Sequence, residues 1–405
     1  MRAPRFRNEQ GVALPMALMT LVLLTSLMLA FASLSRTEPV IAANHLRASQ
    51  ARTLAESGLE YALWALSHAT HPAGLPSPLP DPVAAPFDGR TFVALGAGGF
   101  TIGVTNDASG DPQRRTITAV GWIPTDSAAD VRPKAHRKIS VDVVAVPHLG
   151  ARAPCALCVK GTLTVAGNVA VDGSNRDPTC GDDTKYGTLT GGATTIVGPS
   201  TITGGGGASA QYQAPGAFEA VTLSAAALEA LRTLAWRNGT YFGPGFPRGG
   251  TVSDGGTTWA GRIAFDASNP LPDGVVFIDT PDGHDVDTGT SAALAEARFD
   301  AGAFGARAEG FRGWIDVNGS IEIAAGLNVR GVVYAVDGLT YQASGTGRIE
   351  GLAVSLNIRG TSSARVEAVG AGELAVRFDC GHATAAGLVP HGFLPVLGTY
   401  REDDD

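Results

Sequence analysis

The pattern of apolar and polar positions changes period several times along the chain. Residues 12–35 carry no charge and are mostly apolar. At about 1.5 Å per residue, a helix of that length crosses the hydrocarbon core of a bilayer. Pro39 predicts a break after it, because proline lacks the N–H and clashes with the preceding turn. Beyond it, Ala48, Ala51, Ala55, Leu59, Ala62, Leu63 and Leu66 recur every three or four residues, the spacing of one helix face, with Arg52 interrupting the stripe. HPAGLPSPLPDPVAAP, with six prolines, then ends the helix.

Residues 91–147 predict three strands: Thr91–Leu95 running on through Phe100–Val104, Arg115–Trp122, and Lys138–Val146. KISVDVVAV alternates with a period of two, as a half-buried strand does. From Cys158 the strands shorten. Leu163, Val165, Val169 and Val171 share a parity, as do Ile315, Val317, Ile321, Ile323, Leu327, Val329, Leu339 and Tyr341. Glycines at 319, 326, 331, 338, 345 and 351 punctuate the second run. Short strands with glycine corners suit stacked coils, in which each inward side chain sits on its equivalent in the next coil. An irregular antiparallel sandwich uses the same alternation and is the alternative. VTLSAAALEALRTLAWRNG predicts a helix inserted near 221–237, with Ser224 as N-cap, Leu228, Leu231 and Leu234 inward, and Gly239 as the stop.

The expected fold is therefore α+β: a long N-terminal transmembrane stalk helix, a small antiparallel sheet and a glycine-rich β-helix-like (β-solenoid) domain. The expected segments are a leader at 1–11, the helix at 12–70, a Pro-rich linker at 71–90, the sheet at 91–150, the β head at 151–400 and a solvated acidic tail at 401–405.

Charge adds orientation and excludes one partner class. Arg2, Arg5 and Arg7 precede the apolar stretch and place its amino end in the cytoplasm. The net charge of −8, with no basic cluster, argues against direct nucleic-acid binding. Four cysteines, an even number, fit an exported protein.

The leader ends in NEQ-Gly11-Val12 and leads directly into the apolar helix. In this it resembles a class III prepilin leader. The string Ala55-Glu56-Ser57-Gly58-Leu59-Glu60-Tyr61-Ala62-Leu63 resembles the signature of PilX-type minor pilins and of K-type minor pseudopilins of type II secretion. The resemblance implies cleavage after Gly11 by prepilin peptidase and a methylated amine on Val12. It also implies filament packing through Val12, Leu14, Met16, Leu18, Leu21, Leu24 and Leu27. Major pilins carry Glu as the fifth mature residue, where this chain has Met16, so the implied role is a low-copy minor pilin at the priming complex or tip. The implied partners are other minor and major pilins, the inner-membrane assembly platform and a large tip adhesin. The implied location is the bacterial inner membrane with the head in the periplasm, then the surface pilus, with functions in adhesion or motility. A K-type pseudopilin and a membrane-anchored polysaccharide-binding β-helix are the alternatives.

No Ser-His-Asp motif, P-loop or dinucleotide fingerprint is present, so neither enzymatic activity nor a cofactor is expected. Cys155, Cys158, Cys180 and Cys380 are expected as structural disulfides, with Cys158–Cys180 and Cys155–Cys380 preferred among the three connectivities. A zinc site using these cysteines or His382 is the alternative. The run Asp279, Asp282, Asp285 and Asp287 is expected to be a solvated turn, with calcium as the alternative.

Overall fold

A computed structural model describes residues 13–107, 111, 113–147, 149–175, 177, 185–244, 259–286, 293–305, 307, 309–360, 363–384 and 392–403. Helix α1 runs without interruption over Ala13–Ser67, with Pro39 inside it. The expected break does not occur. Proline at 39 removes one backbone bond, to the Ser35 carbonyl, and crowds that carbonyl, but the cost falls on a single turn and the turns on either side stay helical.

The second half of α1 lies on an antiparallel sheet. Strands β1 (Asp88–Leu95), β2 (Gly98–Asn106), β3 (Arg114–Ile123) and β4 (Ala135–Ala145) follow one another as a meander. The expected single strand through 91–104 is instead a hairpin: Leu95 pairs with Gly98 across Gly96-Ala97, and Gly96 takes a positive φ of 60°. Ala55, Leu59, Ala62 and Ala65 of α1 meet Phe100, Ile102, Ile117, Ala119, Ile139 and Val141 in a closed core. Gly121 sets the distance. A Cβ there would lie 1.9 Å from the Ala51 carbonyl oxygen, so only glycine lets helix and sheet come this close.

After the short helix α2 (Leu149–Arg152), the chain builds two parallel sheets in two runs. The first run comprises β5 (Cys155–Val159), β6 (Leu163–Ala166), β7 (Val169–Asp172), β8 (Tyr186–Thr190), β9 (Thr194–Val197), β10 (Thr201–Thr203) and β11 (Gln211–Gln213). Helix α3 (Ala225–Asn238) separates it from the second. That run opens with β12 (Tyr241–Phe242), β13 (Arg262–Phe265), β14 (Gly274–Ile278), β15 (Ala295–Phe299) and β16 (Phe311–Val317). It continues through β17 (Gly319–Ile323), β18 (Asn328–Ala335), β19 (Leu339–Ala343), β20 (Thr346–Ser355), β21 (Ala364–Ala368) and β22 (Glu373–Phe378).

From β12 to β22 successive strands alternate between the two sheets, and each pairs in parallel with the strand two places on. The end of the second run then meets the start of the first. Strand β20 pairs with β5 (Val354 opposite Cys158), β21 with β6 (Val366 opposite Val165), and β22 with β7 (Val376 opposite Val171). The first strands of the head in sequence thus lie beside its last.

The inward residues form one core, as the alternation predicts: Leu163, Val165, Val169 and Val171 join Ile315, Val317, Ile321, Ile323, Val329, Leu339 and Tyr341. Within it, Phe242 meets Phe265 edge to face at a centroid distance of 5.3 Å, and Phe265 stacks on Phe299 at 5.2 Å. Four glycines line up across the strands: Gly274, Gly313, Gly331 and Gly351 share a register and take φ of 114°, 138°, 146° and 139°. A Cβ on Gly331 would lie 1.7 Å from the Gly313 carbonyl oxygen.

Helix α3 joins the two parts. Ser224 caps it by accepting from the Ala227 N–H at 3.2 Å, and Gly239 ends it at a φ of 72°. Leu228, Leu231 and Leu234 are buried on the parallel sheets, while Ala226 and Ala230 pack on Val144 of β4. Arg114 of β3 pairs with Glu229. Beyond α4 (Cys380–Ala383) the chain returns to the antiparallel sheet through β23 (Phe393–Pro395) and β24 (Arg401–Asp403), both antiparallel to β4. Residues 401–403 of the expected solvated tail therefore form a strand on β4, and the chain leaves the parallel sheets before residue 393. Packing accompanies the return: Phe393 lies against the α1–sheet core and Val396 is buried with Val144, while Glu402 lies 3.7 Å from Arg52 and 3.9 Å from Arg137, and Asp403 lies 3.6 Å from Lys138.

Candidate assembly surface

Of the residues expected to pack in a filament, Leu14, Met16, Leu18, Leu21, Leu24 and Leu27 all lie in α1 and are 56–73% exposed. Gly11 and Val12 lie outside the described residues. Every side chain from Ala13 to Ser33 is exposed, and among the described residues no other element covers them, so this apolar surface is left for lipid or another protein. Its few polar groups are already paired. The hydroxyls of Thr20, Thr25, Ser26 and Ser33 donate to carbonyls three or four residues back, at 2.8–3.0 Å. That is what an apolar medium requires of a helix, since an unpaired donor there costs several kcal/mol.

The other half of α1 is anchored. Ser67 Oγ accepts from the Phe393 N–H at 3.2 Å and donates to the Leu63 carbonyl at 2.7 Å. Arg52 Nε lies 3.7 Å from Glu402 of β24. Burying Leu59 and Leu66 stabilises the contact by about 1.5–3 kcal/mol each. One continuous helix thus has an apolar half free for partners and a small-residue half held to a rigid sheet.

The head carries two polar features. A groove of about 560 Å³ runs along the outer face of the sheet that contains β13, β15 and β17, lined by Arg262, Glu296, Arg298, Ser320, Glu322 and Thr340. Its arginines are paired: Arg262 with Glu296 at 3.0 Å, and Arg298 with Glu322 at 2.6 Å and Asp300 at 3.0 Å.

The second feature corrects the solvated-turn expectation. Asp279 is fully buried, and it accepts from Arg232 Nε at 2.8 Å, the Tyr241 hydroxyl at 2.9 Å and Asn318 Nδ2 at 2.9 Å. Asp285 accepts from Arg232 Nη2 at 2.6 Å. Only Asp282 of the described members stays at the surface, and Asp287 lies outside the described residues. Arg232 occupies the place a cation would take, and no group of three or more metal-ligating side chains is found among the described residues. Next to this pair, Asp316 is completely buried and neither carboxylate oxygen has a hydrogen-bond partner. Burial pushes its pKa well above the ordinary carboxylate range, with the charges of Asp285 and Asp279 adding to the shift and Arg232 opposing it. Arg232, Tyr241, Asp316 and Asn318 gave no signal in the sequence beyond single polar residues inside apolar runs.

The cysteines pair differently from the expectation. Cys155 is joined to Cys158, both buried in β5, with a Cα–Cα distance of 5.7 Å. Cys380 is also disulfide-bonded, and Cys180 lies outside the described residues. Cys155–Cys158 excludes both preferred pairings, because bending within β5 brings these two together while the rest of the strand is held by β8 and β20. It also removes two thiolates from the zinc alternative. His382 sits in α4 with Nδ1 3.4 Å from Asp379.

The described residues define a class in broad terms: a mixed helix-and-sheet protein with one N-terminal helix long and apolar enough to cross a membrane, and a large sheet-rich head. Comparison with known proteins adds little to that. No family model matches the chain, and no curated protein is similar to it. Among solved structures it is similar to the competence-associated pilin ComZ from Thermus thermophilus, with a TM-score of 0.23 and 13% identity over 88% of this chain and 98% of that one.

Proposed function

We propose that this chain is a minor pilin of the PilX-like kind, acting mechanically rather than as an enzyme in the priming complex or tip of a type IV pilus. The observation that supports this most is the division of α1: the half from Ala13 is apolar and unpartnered, and the half ending at Ser67 is packed on a sheet. A plain membrane anchor needs the first half but gives no reason for one uninterrupted helix to carry the head on its second half. In this reading cleavage after Gly11 frees Val12, and Leu14, Met16, Leu18, Leu21, Leu24 and Leu27 pack among the helices of other pilins. Prepilin peptidase, the assembly platform and a tip adhesin are the further partners, and the head passes from the periplasm to the cell surface. The head is read as β-helix-like, supported by the alternation of strands between two parallel sheets.

Mass spectrometry of the N-terminal peptide, from native membranes and sheared filaments, tests the proposal. A peptide beginning at a methylated Val12 is the expected result. A start at Ser33 or an intact Met1 would overturn it. The groove on the outer face favours a second reading, an anchored polysaccharide-binding protein. Titration of the full chain with polysaccharides, with no binding detected, would eliminate that one.

A further inference from the structure

The two parallel sheets end differently. At one end β12 is buried, and β13 carries the exposed, ion-paired Arg262. At the other end β9 pairs only with β6, β10 only with β7, and β11 only with β8. Among the described residues no strand covers their outer edges. Open edges are templates for further pairing, and proteins usually blunt them with charge. This end carries none: Tyr186 through Phe218 contains no Asp, Glu, Lys or Arg. It also exposes apolar side chains, with Ile196 41%, Val197 52% and Tyr212 42% accessible. Elsewhere the outward rungs are charged, as in Arg298–Glu322, Arg330–Glu350 and Arg365–Glu367.

We propose that this end, formed by β9, β10 and β11, is a homotypic interface that pairs edge to edge with the same end of a second copy of the chain. Charge selects the occupant. Each copy carries a net charge of −8, so two copies repel in most orientations. Among the strand edges of the head, this uncharged end lets two copies meet without placing like charges opposite one another at the contact. A two-fold axis through it sets the edges antiparallel, which is the isologous arrangement most dimers use. The chain already builds its core by such an addition. The edges of β20, β21 and β22 receive β5, β6 and β7, which are distant in sequence. The inference does not depend on the pilin reading, since it concerns the head alone.

Sedimentation of the full chain in detergent micelles, over a concentration series, tests it. The expected result is a dimer that dissociates on dilution, because three short strands make a small interface. Ile196→Lys with Val197→Lys is expected to raise the dissociation constant at least ten-fold. Mixing that variant with Ile196→Glu/Val197→Glu is expected to restore dimers, because only a like-to-like contact brings the two substituted edges together. If the double variant loses its circular dichroism spectrum, Tyr212→Lys carries the same test. A chain that stays monomeric at every concentration overturns the proposal. So does a dimer that the edge substitutions leave unchanged, which would point to α1 as the contact.

Discussion

Arg232 of α3 donates to Asp279 at the end of β14, Nε to Oδ2 at 2.8 Å, and its guanidinium lies 4.9 Å from the centre of the Phe277 ring. The pair fastens the helix to the parallel sheets at a point where Asp279 has no access to water. Arg232→Met keeps the bulk but leaves the carboxylate buried without its cation, which costs about 3 kcal/mol. Urea unfolding should show the lower midpoint. No change would mean that Tyr241 and Asn318 suffice to hold Asp279.

Asp316 makes stability depend on pH in the opposite sense to an ordinary salt-bridged carboxylate. Its folded-state pKa is raised, so above the ordinary carboxylate range the folded state binds a proton that the unfolded state has lost. Stability is therefore full at low pH and falls as pH rises from the unfolded value towards the folded one, by up to about 1.4 kcal/mol per pH unit. Asp316→Asn mimics the protonated acid, and it is expected to flatten that slope and to raise the melting temperature at pH 8. A variant with an unchanged slope would assign the pH dependence to other groups.

Gly331→Ala places a methyl group against the Gly313 carbonyl at a φ of 146°. Clash and backbone strain together are expected to cost about 2–4 kcal/mol. Gly345→Ala is the control: nothing lies within 4 Å of its Cβ position, and the change should stay within about 0.5 kcal/mol. Equal effects from the two would show that the glycine column carries no strain.

Peptide mapping without reduction checks the disulfide. Trypsin should release Ala153–Lys160 as a single peptide two hydrogens lighter than its reduced form, with Cys155 joined to Cys158. A cross-linked peptide containing Cys155 or Cys158 with either distant cysteine would contradict this arrangement.

What the sequence determined by itself is local. The uncharged run, helical from Ala13 on, the Ser224 cap, the Gly239 stop and the period-two strands each depend on residues a few positions apart, and each is found among the described residues. The Pro39 break fails for an energetic reason. The lost hydrogen bond and the crowding of the Ser35 carbonyl cost about 3 kcal/mol at one turn, against a long helix whose other turns keep their own bonds and whose far end is held by the sheet. Tertiary structure alone decided what lies between distant segments. It set β5 beside β20, returned residues 393–403 to β4, and brought Arg232 to Asp279. Parallel strands with similar inward Val, Leu and Ile columns accept many pairing orders, so alternation fixes which side chains face inward but not which strand lies beside which. Packing of α3 against both the antiparallel sheet and the parallel sheets brings those segments together, and single charged residues then find partners that no spacing in the sequence records.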